Sequence, residues 1–341
     1  MYLRLFFCTY VHSWYISAMP QKFYLACCVL LLGLCPVMAV AIDEDLPLSA
    51  PLDLQGEWQE LVVPLKRAGG LFLIEVQIDS VVGDFLLDTG APYVVLNATY
   101  FRSYATGAQQ PAVGVNGDVS SQTTTGVVTR LQLNKAFCEN VQVDIQSLAQ
   151  IEDAKGVRIM GLLGANVFSN LWMRIDTRTN QLVVRKSGQL PALNVLDSLL
   201  SRQLPDIEIP FKYCDDRIII PITIEGKKMN WMLDTGAESN VLDSWNNKKV
   251  MKEFVVTRRI NLTGSTGEKQ DVLLGFIEQM KVGEVAFTTQ QAIVTSMREL
   301  SETCSIFIDG VVGYPFLSQG IYELDFSKKI FRMYLYNNLK L

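Results

Sequence analysis

The chain has 341 residues, 49% apolar and 19% charged, with a formal net charge of −5; this balance fits a globular protein with a core large enough for two domains and excludes a largely disordered chain. Arg4 and Lys22 are the only formally charged side chains in the first 41 residues, which leaves 28 basic against 35 acidic residues in the remainder. No basic stripe is available to neutralise phosphates, so a nucleic-acid partner is excluded. The single histidine, His12, lies ahead of an apolar N-terminal run. Ser-His-Asp and Cys-His nucleophile systems and His-ligated zinc are therefore excluded from the body of the chain, and acid-base chemistry falls to carboxylates.

Phe23 to Ile42 is uncharged and mostly apolar, preceded by Lys22 and followed at once by Asp43, Glu44 and Asp45. Pro36 and the small-x-small triplet Ala39-Val40-Ala41 give it the form of a signal peptide cleaved after Ala41. Its length also allows an uncleaved N-terminal anchor. Either way the body is expected outside the cytoplasm, periplasmic or secreted, and at a membrane only if the segment is retained. Restarting at Met19 gives a cleaner signal, so the start could be Met1 or Met19. Residues 42–58, with Pro47 and Pro51, are expected to form an exposed leader. Of seven cysteines, Cys138, Cys214 and Cys304 follow the N-terminal segment; they allow at most one disulfide, fit no metal motif, and read as small buried hydrophobes. No metal or cofactor is expected.

From residue 59 the chain is a duplication. Pro64-Leu65-Lys66 recurs as Pro210-Phe211-Lys212, and Phe85-Leu86-Leu87-Asp88-Thr89-Gly90-Ala91 recurs as Trp231-Met232-Leu233-Asp234-Thr235-Gly236-Ala237. Gly161-Leu162-Leu163-Gly164 through Asp176 returns as Gly310-Val311-Val312-Gly313 through Asp325. A long period of this kind duplicates an architecture rather than building a solenoid. Each copy, at 59–187 and 206–341, is rich in short strands separated by Gly, Asn and Asp. Short helical turns are expected after Gly164 (Ala165 to Asn170) and after Gly313 (Tyr314 to Gln319), where Pro315 suits a first helical turn. Between the copies, within 188–205, Leu193 to Leu204 has apolar residues at helical spacing and predicts a linker helix.

In both copies three apolar residues form a buried strand that delivers an acid at a turn. If the copies fold alike and meet about a pseudo-twofold axis, Asp88 and Asp234 face one another, as residues do in an isologous contact. Two such carboxylates cannot both ionise cheaply and titrate as a unit, the ionised one able to take a proton from water while the protonated one polarises a carbonyl. A bell-shaped pH profile with an acid-side optimum is expected. Thr89 and Thr235 can hydrogen-bond across the axis, and Gly90 and Gly236 let the backbone come close. Asp176 and Asp325, each opening a turn between strands, are expected to be structural. Asn97-Ala98-Thr99 and Asn261-Leu262-Thr263 match the N-glycosylation pattern.

The paired Asp-Thr-Gly-Ala motifs, together with the later Leu162-Leu163-Gly164 and Val311-Val312-Gly313 blocks, resemble the active-site signature of retropepsin-like aspartic proteases. The resemblance spans both copies. It implies an all-β fold of two homologous acid-protease β-barrel lobes related by a pseudo-twofold axis, with short helices. It also implies that Asp88 and Asp234 are catalytic, supported by Thr89, Gly90, Ala91, Thr235, Gly236 and Ala237. Holding both halves in one chain, the protein is expected to act as a monomeric internal pseudo-dimer on a peptide or protein. Flap hairpins that close over an extended peptide are implied at Val113 to Gly126 and Leu262 to Gly275, with Gly114, Gly117, Gly264 and Gly267 as substrate-facing residues. The copies also differ: Met160 stands where the second has Asp309, and Pro92-Tyr93 where it has Glu238-Ser239. Such asymmetry suits a site that reads the two ends of a substrate differently.

Three functions fit these residues: an exported endopeptidase, a catalytically silent peptide-binding protein that kept the fold, and a carboxylate-pair hydrolase acting on another bond, such as a glycoside. Each acid sits in the same tripeptide, which predicts a close symmetric pair rather than acids spaced around a sugar ring.

Overall fold

The computed structural model describes residues 3–4, 51–107, 110–112, 121–188, 195–214, 216–263, 269–303 and 306–339. Two β-rich lobes flank a six-stranded sheet that belongs to both. In the first lobe the strands run in the order Lys66–Ala68, Leu71–Ile78, Val81–Leu87, Gly161–Leu163, Val95–Asn97, Ala136–Gln146, Ser121–Leu133 and Gln110–Ala112. Leu71–Ile78 also pairs with Ser121–Leu133 through Gln77↔Gln132 and Ile78↔Leu131, so the sheet curls back on itself. The second lobe repeats the order with Lys212–Cys214, Arg217–Ile224, Lys227–Leu233, Gly310–Val312, Asn240–Asp243, Val285–Thr295, Lys269–Val282 and Phe254–Thr263, and it closes through Thr223↔Lys281. Its outer strand also pairs in parallel with Leu3–Arg4. Gly114, Gly117, Gly264 and Gly267, expected at the flap tips, lie outside the described residues.

Each Asp-Thr-Gly turn follows a strand buried on both faces, which is why its residues read as an unbroken apolar run rather than an alternation. Phe85 and Leu87 enter the large core while Leu86 points to a smaller cluster with Leu71 and Leu162; Trp231, Leu233 and Met232 divide the same way. The later glycine block of each copy is the parallel neighbour of that strand, with Gly161↔Phe85 and Leu163↔Leu87 in one lobe and Trp231↔Gly310 and Leu233↔Val312 in the other. Side chains are not tolerated at those glycines: a Cβ on Gly161 would lie 2.3 Å from the Val95 carbonyl oxygen, and one on Gly310 2.5 Å from that of Val241. A 3-10 turn at Ala165–Val167 and a helix at Tyr314–Leu317 follow, shorter than the sequence spacing predicts.

The shared sheet has the order Ile207–Pro210, Ile330–Leu335, Gly320–Asp325, Leu171–Asp176, Gln181–Lys186 and Glu60–Pro64. Its two central strands are equivalent by the repeat, and their antiparallel register sets Arg174 opposite Glu323, Trp172 opposite Asp325 and Asp176 opposite Ile321. The offset of 149 maps Arg174 onto Glu323, so the pseudo-twofold axis passes between them. A helix at Val195–Leu200, on the segment joining the lobes, packs Leu200 against Ile321 and Tyr334 of this sheet. Its Asp197 receives Arg174 Nη1 and Arg185 Nη2, both at 2.6 Å.

Asp176 and Asp325 are turn residues, as expected: Asp176 Oδ1 accepts from the Arg178 and Thr179 amides, and Asp325 Oδ1 from the Lys328 amide and the Ser327 hydroxyl. Cys138 is buried and Cys214 partly so, and burial pushes the Cys138 thiol up to about 12. Asn97 is fully buried, its amide donating to the Ile159 carbonyl and to Glu152, so that glycosylation pattern is unusable in the folded chain. Among the described residues no helix is long and apolar enough to cross a membrane.

Candidate active site

The two Asp-Thr-Gly turns meet on the pseudo-twofold axis, each tied to its own lobe and to the other. Within a lobe, the amide of Asp88 donates to Leu163 O (3.1 Å) and that of Asp234 to Val312 O (3.0 Å). The glycine block therefore fixes where each acid leaves its strand. Across the axis the threonines exchange four bonds. Thr89 Oγ1 donates to Leu233 O and accepts from the Thr235 amide, both at 3.0 Å; Thr235 Oγ1 donates to Leu87 O (2.8 Å) and accepts from the Thr89 amide (3.0 Å). Each hydroxyl uses its donor and one acceptor site on the opposite lobe, an arrangement no other small side chain except serine can reproduce.

The glycines are required by proximity. A Cβ built on Gly90 would lie 2.6 Å from Asp234 Cγ, and one on Gly236 would lie 2.6 Å from Asp88 Cγ. Each acid is thus pressed against the turn that carries the other. Ala91 and Ala237 complete the symmetry: their carbonyls accept from the Ala165 amide (2.9 Å) and the Tyr314 amide (2.8 Å), joining each turn to the short helix after its glycine block.

The pair is symmetric in backbone and asymmetric in charge. Asp88 Oδ1 accepts from the amides of Gly90 (2.9 Å) and Ala91 (3.1 Å), whereas Asp234 Oδ1 accepts from Gly236 alone (2.7 Å) within its own turn. Both carboxyls are buried, with 1% and 0% of their surface exposed. Apart from the contact between the two acids themselves, Oδ2 of each is without a protein donor. Burial raises the Asp88 pKa to about 6, against the hydrogen bonds from Asp234, Gly90 and Ala91 and the charge of Arg217. Burial, and then the charge on Asp88, push Asp234 well above the ordinary carboxylate range. With two amide donors on its Oδ1 against one on Asp234, Asp88 is the better placed to carry the charge, and the two titrate as a unit.

Two contributors to this setting, Arg217 and Arg67, escape a reading of the motifs alone, and a third, Glu238, is an asymmetry visible in the sequence that the fold places between the lobes. Arg217 is 2% exposed and stands where the repeat offset puts Leu71 in the first lobe. Extending the register Ile218↔Leu233 by one residue sets it opposite Asp234. A charged residue in one copy against leucine in the other was the available signal. Glu238, the counterpart of Pro92, reaches into the first lobe, where its carboxylate accepts from the Gly70 amide (3.0 Å) and pairs with Lys155. Arg67 is held between Phe72 and Tyr314, 4.7 and 4.6 Å from their ring centroids, and donates to the Tyr314 hydroxyl. Glu238 and Arg67 thus supply contacts between the lobes. Asp309, opposite Met160 in the repeat, accepts from the Asn230 amide and from Lys227 within its own lobe. Among the described residues no group of three or more His, Cys, Asp or Glu is placed to hold a metal.

Two facing acid-bearing turns, joined by reciprocal threonine bonds across a pseudo-twofold axis, define a two-lobed acid-protease fold. A sequence model of the aspartyl protease family matches residues 74–167 and 220–316, one match in each lobe and together more than half of the chain. The chain belongs to that family. Among solved structures it is similar to basic 7S globulin from soybean, with 9% identity, a TM-score of 0.44, and 83% of this chain and 95% of that chain covered. It is likewise similar to conglutin gamma, a basic 7S globulin from lupine seeds, with 9% identity, a TM-score of 0.45, and 81% and 95% covered. No curated protein sequence matches the chain.

Proposed function

We propose that the protein is an exported aspartic endopeptidase that hydrolyses peptide bonds with water activated between Asp88 and Asp234. The observation that carries this reading is the geometry of the pair: two buried carboxyls on turns tied across both lobes, unequal in their amide donors, with neither Oδ2 committed to a donor outside the pair. Asp88 as carboxylate takes a proton from the attacking water as its oxygen bonds to the peptide carbonyl carbon. Asp234 as acid donates a hydrogen bond to the carbonyl oxygen, which gathers charge. Breakage of the C–N bond then returns a proton to the leaving nitrogen. Because the groups are fixed beforehand, little reorganisation is needed as charge develops. One chain supplies both acids, so a monomer suffices.

The burial of the same oxygens supports a second reading, a silent relative that binds peptide without turning it over. Under the endopeptidase reading the cover over the pair must open to admit substrate, as in enzymes that close over their substrates. Incubating the secreted protein with a diverse peptide mixture, with and without a transition-state inhibitor of aspartic proteases, separates the two. Inhibitor-sensitive cleavage is expected. Saturable peptide binding without cleavage would establish the silent protein.

A further inference from the structure

Away from the acid pair, a solvent-open cavity of about 600 Å³ lies where the lobes meet beside the shared sheet. That volume is within the ~300–1,000 Å³ usual for small-molecule sites. The first lobe contributes Thr177 and Arg178 from the turn after Leu171–Asp176; the second contributes the rest, including Phe287, Gln290 and Gln319. Among the described lining residues Arg178 is the one charged side chain. The Asp176 carboxylate lies behind the wall with its Oδ1 taken up by the Tyr336 hydroxyl and the Arg178 and Thr179 amides, so the charge presented to the cavity is that of the guanidinium, which favours an anionic group.

Its polar groups are held in place. The Tyr336 hydroxyl donates to Asp176 Oδ1 (2.8 Å), accepts from the Arg178 amide (3.0 Å) and lies 2.8 Å from Thr177 Oγ1. The fixed ring carries the Arg178 guanidinium 3.8 Å from its centroid, and among the described residues that guanidinium meets no carboxylate. The Gln319 amide nitrogen donates to Gln290 Oε1 (2.7 Å) and Pro315 O (2.9 Å), which orients its own oxygen as an acceptor.

We propose that this cavity binds an acidic sugar, a hexuronate at the end of an oligosaccharide. One guanidinium, rather than a cluster of cations, suits a monoanionic carboxylate, which it can engage with two parallel hydrogen bonds. The fixed amides, the hydroxyls of Thr177 and Ser318, and the apolar side chains of Phe287 and Leu335 suit a polyhydroxylated ring with one less polar face. The opening to solvent leaves room for further sugar units.

The proposal is independent of peptide hydrolysis, and so is its test. The full-length protein, its Asp88→Asn form, Arg178→Gln and Gln319→Ala are titrated calorimetrically with galacturonate, trigalacturonate, galactose, inorganic phosphate and a short peptide with a free carboxyl terminus. Galacturonate and its trimer are expected to bind the parent and Asp88→Asn equally. Arg178→Gln and the neutral sugar should each weaken binding by about tenfold or more, the scale of losing a charge-assisted hydrogen bond. Gln319→Ala, which keeps the charge, should weaken sugar binding too. No uronate binding, binding unchanged in Arg178→Gln, galactose binding equal to galacturonate, or binding of phosphate or the peptide alone overturns the assignment.

Discussion

Gly90 is packed directly against Asp234, and the contact leaves no room for a methyl group: a Cβ there would sit 2.6 Å from the carboxyl carbon. The mirror contact joins Gly236 and Asp88. Alanine at either glycine must displace the acid of the other lobe, by overpacking rather than by a backbone conformation forbidden to it. Gly90→Ala and Gly236→Ala are expected to cost roughly 1–3 kcal/mol of stability and to lower kcat/KM about 100-fold, the scale of an ångström-sized misplacement of a reacting group. Urea unfolding and peptide hydrolysis check the two effects separately.

The threonine exchange gives a sharper contrast. Valine at position 89 keeps the shape but strands the buried Thr235 amide and Leu233 carbonyl, whereas serine keeps both bonds. Each stranded buried group costs about 1–3 kcal/mol. Thr89→Val is therefore expected to lose several kcal/mol in urea unfolding, and Thr89→Ser to stay within about 1 kcal/mol of the parent.

The strands before the acids, the duplicated turns and the linker helix were legible in the sequence because local rules govern them: apolar runs for strands buried on both faces, an acid and a glycine at a turn, apolar spacing for the helix. The reciprocity of Thr89 and Thr235 was legible only through the repeat, which supplies the symmetry. Arg217, Lys155 and Arg174 were not singled out, because their roles depend on which residues lie across the axis, and no local pattern encodes that. Nor did the motif indicate how deeply the acids lie, since burial depends on the whole arrangement around them.

That burial moves the expected pH profile. Sequence alone suggests an acid-side optimum. With Asp88 raised to about 6 and Asp234 also raised well above the ordinary carboxylate range, the pair loses its first proton only as pH rises towards about 6, so the acid limb of the rate profile should fall there. The alkaline limb follows loss of the second proton. Initial peptide-cleavage rates from pH 3 to 10 test this; a maximum near pH 3 would contradict it.

The same shifts bear on stability. Both carboxyls bind protons more tightly folded than unfolded, so their contribution is fully present below the ordinary value of 3.8 and is lost as pH rises through about 6 and above. Asp234→Asn should therefore gain stability relative to the parent at pH 7 and lose that advantage near pH 3, as read by thermal unfolding.

Asp197 responds in the opposite sense. Burial acts to raise its pKa, but the hydrogen bonds from Arg174 and Arg185 more than offset this and hold it below 3.8. Its contribution is present above 3.8 and lost as pH falls through the lower folded value. Asp197→Ala leaves two buried guanidinium groups short of an acceptor and should cost about 3–5 kcal/mol at neutral pH. Urea unfolding at pH 7 measures the loss.

The central claim is that one acid from each lobe acts on a common water. The most direct measurement is peptide hydrolysis by Asp88→Asn and Asp234→Asn, each compared with the parent at its optimum pH and each checked for native unfolding behaviour. Both folded variants are expected to lose hydrolysis to the background rate. A parental rate in either would contradict the shared action of the pair.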